Sequence, residues 1–175
     1  RVDGAGIGPS GDGFGFVTGS DGSVLKGLSI TGFPNSAVWL YNTSNITVQG
    51  NYIGLATDGT AAGSANGILI EGSDNNLIGG TTAAQRNVIG ASVNYQGVWI
   101  SNNSDYNVVQ GNYIGVGVDG STARGNAANG VLVEIGSTHN TIGGTDEGAG
   151  NVISGNLADG IKLNVSANDN IVQGN

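Results

Sequence analysis

The chain lacks several residue types, and each absence excludes a class of protein. It has no cysteine and no methionine, only two prolines, and a charged fraction of 10% over 175 residues. The absence of cysteine excludes a disulfide scaffold and thiol chemistry. No apolar run approaches the roughly 18 residues that a membrane span requires. We therefore expect a chain that neither inserts into a membrane nor depends on covalent cross-links.

Positive charge is also scarce. Five Lys and Arg residues stand against 13 Asp and Glu residues, for a net charge of −8. The five cations are scattered along the chain, so they form no basic patch for DNA or RNA. Anionic membrane surfaces would repel the chain for the same reason. We expect no nucleic-acid partner.

Glycine, in contrast, is abundant. The 34 glycines argue against long helices, because an interior glycine costs about 1 kcal/mol relative to alanine. The Gly-X-Y period of collagen is absent, and 38% of the residues are hydrophobic, so disorder fits poorly. The composition therefore favours short strands joined by turns.

The chain repeats itself. The segment "VQGNYIG" stands at 48–54 and at 109–115, and "VQGN" returns at 172–175. An apolar-x-apolar triplet recurs at intervals of 30 to 33 residues after a small residue, at Ala37, Gly67, Gly97, Gly130 and Gly160. Two further apolar rows are Val48, Ile78, Val109, Ile142, Val172 and Ile53, Ile89, Ile114, Ile153. Short alternating segments rich in Val and Ile indicate strands.

Three short strands cannot bury an apolar face alone, but stacked repeats can. The pattern predicts an all-β, single-stranded parallel β-helix of five to six coils, each of roughly 30 residues with three short strands. We expect a right-handed helix, because strand crossovers strongly prefer that hand. Residues 1–36 form a less regular first coil, with "GFGFVTGS" and "SVLKGLSITGF" as candidate strands, and 37–175 form the regular coils. Coils alternate in type, so the larger unit is two coils.

Asparagine also aligns in rows. One row precedes the second strand and another precedes the third strand; they are Asn76, Asn107, Asn140, Asn170 and Asn51, Asn87, Asn112, Asn151. Stacked amides can hydrogen-bond along the axis and cap turns. We interpret both rows as structural ladders and not as ligand contacts.

These motifs resemble a known family. "NNLIGG…RNVIGA" and "HNTIGGTDEGAGNVISGNLADGIKL…VQGN" are similar to repeats of bacterial secreted and cell-surface proteins in the pectate-lyase-like, right-handed parallel β-helix superfamily, from about residue 37 onward. The resemblance implies a secreted or cell-surface protein that acts as a stalk, an adhesin or a carbohydrate-binding surface. Some members of the wider superfamily are polysaccharide lyases or glycoside hydrolases, but their calcium and arginine motif does not appear in this chain.

Alternation places an apolar stripe on the outside of the sheet that begins with the Ala37 triplet. The stripe consists of Trp39, Leu69, Trp99 and Leu132, with Tyr41 in the next outward row. An apolar stripe on a sheet face indicates a partner. We expect it to pack against protein, whether a loop, a neighbouring domain or an identical chain. Stacking of sugar rings on the two tryptophans is the alternative.

Carboxylates on the same face are the candidates for catalysis. Glu71 and Glu134 lie two coils apart, roughly 9.6 Å by strand spacing. This is the wide limit of the carboxylate separation in inverting glycosidases, about 6.5–9.5 Å. No third group supports a catalytic role, and we expect these residues to keep an exposed sheet soluble.

Other candidate sites rest on fewer signals. Asp58 and Asp119 occupy equivalent Asp-Gly turns, where a carboxylate plus carbonyls could hold a calcium ion, although Asp-Gly is first a turn signal. We otherwise expect no cofactor, and the single His139 excludes a zinc site of several ligands. Among the N-x-Ser/Thr sequons, Asn42 and Asn102 are the glycosylation candidates because both follow the first strand of a coil.

Together these observations predict a non-catalytic extracellular scaffold: a surface stalk, an adhesin or a head-to-tail fibre subunit. We expect a segment of a longer chain or polymer, with further β-helix coils or identical chains end to end as partners. The alternative is a protein that binds or degrades an extracellular polysaccharide through the face of Trp39 and Trp99. An enzyme of this kind would be a polysaccharide lyase or a glycoside hydrolase.

Overall fold

The computed structural model describes all 175 residues and consists of eighteen short strands without a helix. The strands form three parallel sheets of six strands each, and consecutive strands of the chain belong to different sheets. One circuit through the three sheets is one coil, so the molecule has six coils. The predicted parallel β-helix is therefore confirmed, and its right hand stays a prediction.

We name the sheets after their outward side chains. The tyrosine sheet contains β1 (Val2–Asp3), β4 (Ser29–Thr31), β7 (Tyr52–Ile53), β10 (Val88–Ile89), β13 (Tyr113–Ile114) and β16 (Val152–Ile153). The tryptophan sheet contains β2 (Phe14–Phe16), β5 (Ser36–Tyr41), β8 (Asn66–Glu71), β11 (Val98–Ser101), β14 (Val131–Val133) and β17 (Ile161–Leu163). The glutamine sheet contains β3 (Val24–Lys26), β6 (Thr47–Gln49), β9 (Leu77–Gly79), β12 (Val108–Gln110), β15 (Thr141–Gly143) and β18 (Ile171–Gln173).

The three apolar rows lie in the predicted register. Ile53 pairs with Ile89, Ile89 with Ile114, and Ile114 with Ile153. The row through Val48 and Ile78 extends in the same way to Val172, and the row through Val38 and Ile68 extends to Ile161. The first 36 residues already follow this plan, since β1, β2 and β3 pair in parallel with β4, β5 and β6.

The inward side chains form one continuous core. Twenty buried residues make up a single cluster that runs along the coil axis, and twelve of the largest side chains, mostly isoleucine, are completely buried. Full burial of such a side chain contributes about 1.5–3 kcal/mol. Because every coil supplies the same positions, each coil stabilises its two neighbours.

Both predicted asparagine ladders are present. Asn76 Nδ2 donates to Asn107 Oδ1 at 2.8 Å, and the same bond recurs from Asn107 to Asn140 at 3.0 Å. The second ladder runs from Asn51 through Asn87, Asn112 and Asn151 and continues to Asn175, where Asn151 Nδ2 donates to Asn175 Oδ1 at 2.8 Å. Each amide oxygen also accepts the backbone N–H of the preceding ladder residue, so the ladders close the corners of the coils.

A serine ladder, which was not among the predicted rows, runs beside the first asparagine ladder. The backbone N–H groups of Thr43, Ser73 and Ser104 donate to the hydroxyl oxygens of Ser73, Ser104 and Ser137 at 3.1–3.2 Å. All four residues are buried. The signal was available, because Ser73, Ser104 and Ser137 each stand three residues before a ladder asparagine.

This geometry explains the repeated "VQGNYIG". Its valine points into the core, its asparagine joins the second ladder, and its isoleucine returns to the core. The glycine after glutamine turns the corner with a positive φ, 64° at Gly50 and 65° at Gly111. A Cβ at Gly50 would lie 2.7 Å from the carbonyl oxygen of Ala84, so the neighbouring loop requires glycine there as well. The tyrosine faces outward, onto the surface of the tyrosine sheet.

Candidate functional site

The outward stripe of the tryptophan sheet forms as the sequence indicates. Trp39 pairs with Leu69, Leu69 with Trp99, and Trp99 with Leu132, in four consecutive coils. The two indoles are half-buried, and Leu132 is only 6% exposed. The Tyr41 ring lies 4.9 Å from the Trp39 ring, measured between centroids, and is itself 39% exposed. The five binding candidates therefore lie on one face.

Each glutamate of this face holds a tryptophan of the preceding coil. Trp39 Nε1 donates to Glu71 Oε2 at 3.2 Å, and Trp99 Nε1 donates to Glu134 Oε1 at 3.1 Å. Asn102 Nδ2 donates to the other oxygen of Glu71 at 2.6 Å. The carboxylates thus fix the indole planes and accept hydrogen bonds from neutral donors. The sequence indicates all four residues but not their pairing. Each tryptophan lies beside a leucine of the next coil, and the glutamate stands two residues after that leucine.

The two Asp-Gly turns belong to coils that are two apart in the stack, but residues of both turns line the same cleft. The Asp119 carboxylate accepts the backbone N–H groups of Ser121 and Thr122 and the Thr122 hydroxyl. These bonds, the Thr122 hydroxyl first, hold the pKa of Asp119 well below its usual range. Asp58 accepts the N–H of Thr60 at 2.9 Å, which lowers the pKa of its carboxyl in the same way.

Arg124 joins these turns into one surface. Its Nε donates to the carbonyl oxygen of Gly59 at 2.8 Å, across 65 residues of sequence. Asp58, Asp119 and Arg124 line a shallow cleft of about 190 Å³ between the turns. No group of three or more His, Asp or Glu side chains is placed to hold a metal ion, so the geometry adds nothing to the calcium hypothesis.

A second cleft of about 290 Å³, which the sequence pattern did not predict, lies on the tyrosine sheet. Its walls come from Tyr52 and Val88 of the sheet, from Gly50, Ala83, Ala84 and Arg86 on one side, and from Val118 on the other. The Arg86 guanidinium lies 4.2 Å from the centroid of the Tyr113 ring. Both tyrosines belong to the repeated "VQGNYIG", so their outward position could be predicted from the sequence. The sequence does not show which loops meet around them.

The remaining candidate residues are on the surface. Asn42 and Asn102 are exposed and have positive φ values of 49° and 57°. The Ser104 hydroxyl of the Asn102 sequon is buried and donates to the Ser101 carbonyl at 2.6 Å. His139, the only histidine of the chain, stacks on Tyr106 with a centroid distance of 5.0 Å. The glycosylation of either asparagine stays a prediction.

No helix in the structure is long and apolar enough to cross a membrane. Comparison with protein-family models, with curated proteins and with solved structures finds no match for this chain.

Proposed function

We propose that this chain is a non-catalytic structural scaffold at the cell surface or outside the cell, in a stalk, an adhesin or a fibre. Its role is to hold surface features at fixed positions along a rigid axis. Further β-helix coils or identical chains stacked end to end are the partners of this proposal. The observation that carries it is the uninterrupted axial bonding of all six coils.

Three kinds of axial contact support a load-carrying role. Strand hydrogen bonds, side-chain ladders and the continuous core all join each coil to the next. Only two buried side-chain polar atoms lack a hydrogen-bond partner, Asn66 Oδ1 and Gln96 Oε1. In a solenoid of this kind stability is close to a sum of repeat and neighbour terms, so added coils lengthen the rod without weakening it.

The carboxylates of the tryptophan sheet support the absence of catalysis. Glu71 and Glu134 each accept an indole N–H, and Ser101 lies between their coils at the level of Glu71. A general acid needs a proton to give and a general base needs a substrate proton within reach. The hydrogen bonds that orient the two tryptophan side chains account for the presence of Glu71 and Glu134 without a catalytic role.

Assays of polysaccharide turnover test this proposal. Release of reducing ends and of unsaturated products is measured on neutral and acidic polysaccharides, for the wild-type chain and for Glu71→Gln and Glu134→Gln. We expect no turnover by any of the three proteins. Turnover that the wild-type chain shows and Glu71→Gln loses would establish an enzyme and remove the scaffold proposal.

A second candidate function is glycan binding on the tryptophan sheet. Trp39 and Trp99 are held in fixed orientation two coils apart, roughly 9.6 Å by strand spacing. Affinity electrophoresis with soluble glycans is the test, with Trp39→Phe and Trp99→Phe against the control Leu69→Val between them. Glycan binding requires that the tryptophan variants lose retardation while the control keeps it.

A further inference from the structure

The two clefts described above share Val118, so the cleft on the tyrosine sheet adjoins the cleft between the Asp-Gly turns, and we call the pair the groove. We propose that this groove binds a small zwitterionic ligand of the size of a short peptide, with its carboxylate on Arg86 and its ammonium group between Asp58 and Asp119. This inference is independent of the scaffold proposal.

Arg86 is a pre-organised donor for a carboxylate. Its ring contact with Tyr113 and its Nε bond to the Gly111 carbonyl at 3.1 Å fix the guanidinium plane. It forms no salt bridge, and its two terminal nitrogens donate to no protein acceptor. A guanidinium fork of this kind matches a carboxylate in two parallel hydrogen bonds. Because the side chain is already half-buried and stacked, little entropy is lost on binding.

The walls around Arg86 combine small apolar side chains with polar exposed surface, which suits the methyl groups and peptide bonds of a short peptide. Ala83, Ala84, Val88 and Val118 line the cleft together with the ring of Tyr52. The cleft volume of about 290 Å³ accommodates one or two small side chains and not a larger body.

The adjoining cleft has the opposite character. Asp58 and Asp119 face it, and both carboxyls have a lowered pKa because turn hydrogen bonds stabilise their ionised form. Arg124 in the same cleft is already bonded to the carbonyl oxygens of Gly59 and Ala123. Neither carboxylate forms a salt bridge, and the cleft keeps two negative charges against the one positive charge of Arg124, so an ammonium group is attracted here. A ligand with both charges also avoids the repulsion that a net charge of −8 imposes on a simple anion.

Titration of the ¹⁵N-labelled full chain with tri-alanine tests the proposal. We expect amide shifts at Gly50, Val88 and Val118, and an affinity at least about tenfold lower for both the C-terminal amide and the N-acetyl form of the same peptide, since a charge-assisted hydrogen bond is lost in each. Equal binding of the free and either capped form overturns the proposal. So does the absence of shifts in the groove up to millimolar peptide.

Variants assign each charge to its residue. Arg86→Gln should remove the preference for the free carboxylate over the amide. Asp58→Asn should reduce the preference for the free amine, because Asp119 remains, while it keeps an acceptor for Thr60 N–H. The matched control is Lys162→Gln, which removes the same charge from the exposed outer face of the tryptophan sheet and should bind like the wild-type chain. Should Arg86→Gln keep the wild-type preference, the assigned carboxylate site is wrong. If the glutamine variant does not fold, Arg86→Lys keeps the charge but lacks the two-nitrogen fork, and it should weaken the preference for the free carboxylate without removing it.

Discussion

At the scale of the residue, the buried amides are the most specific feature of this molecule. Asn107 accepts the backbone N–H and the side-chain N–H of Asn76, and it donates to Asn140 and to the Ser73 carbonyl. It is completely buried. A single side chain therefore satisfies polar groups in three coils, and no apolar residue can replace it.

Asn107→Ala should consequently destabilise the protein by about 3–5 kcal/mol, because several buried polar groups lose their partners at once. Denaturant unfolding measures the effect. The control is Asn170→Ala at the half-buried position of the same ladder, where Asn140 loses two hydrogen bonds and Ser137 loses one. We expect a cost there of about 1 kcal/mol. Equal costs at the two sites would mean that burial does not govern the ladder.

The Asp119 turn gives a prediction about pH. Thr122→Val removes the hydroxyl that contributes most to the lowered pKa, so the pKa of Asp119 should rise toward the usual value of about 4. A lowered pKa contributes stability that is present above the unfolded-state value and is lost as pH falls through the folded-state value. The variant should therefore lose this contribution at a higher pH than the wild-type chain. Carboxyl ¹³C titration measures the pKa of Asp119 in the wild-type chain and in the variant, with Asp58 as the unchanged internal reference.

At the scale of the element, the sequence was sufficient to predict the strands and insufficient to predict the loops. The rows through Ile53 and Val48 are periodic, so their register could be read directly. The groove that begins on the tyrosine sheet could not be predicted in this way. Arg86 and Val118 come to line one cleft only after coils with loops of different length have stacked. The bonds from tryptophan to glutamate lie between these cases: the register predicts the neighbours, but not that the indole N–H turns toward the carboxylate.

Substitution of glycines in the turns measures how closely neighbouring loops approach the backbone. Gly111 has φ of 65°, and an added Cβ would meet the carbonyl oxygens of Gly80 and Gly148, the latter at 2.8 Å. Gly111→Ala should cost more than about 2 kcal/mol, since both the backbone conformation and the contact are unfavourable. Gly59 has φ of 82° but open space around its Cα. Gly59→Ala should cost about 1 kcal/mol, for the conformation alone. The difference between their unfolding free energies isolates the loop contact, and a difference near zero would contradict it.

At the scale of the whole molecule, the six coils are chemically alike but unequally covered. The isoleucines of the central coils are completely buried, whereas Leu163 and Val172 in the sixth coil are 44% and 46% exposed. In a solenoid each coil is stabilised only by its neighbours. Local opening should therefore be easiest in the sixth coil and most difficult in the middle of the stack.

Native-state hydrogen exchange measures this gradient. The amides of Ile89 and Ile114 should exchange only through global unfolding, and those of Leu163 and Val172 should exchange several orders of magnitude faster in dilute solution. If identical chains stack end to end, as the fibre form of the scaffold proposal requires, the second pair becomes protected as concentration rises while the first pair does not change, because a heterologous contact adds a neighbour only at the ends. Protection that is uniform along the axis at every concentration would contradict the nearest-neighbour description. A gradient of exchange rates that does not change with protein concentration would exclude self-stacking. Further β-helix coils would then be the remaining partner proposed for the exposed face of the sixth coil.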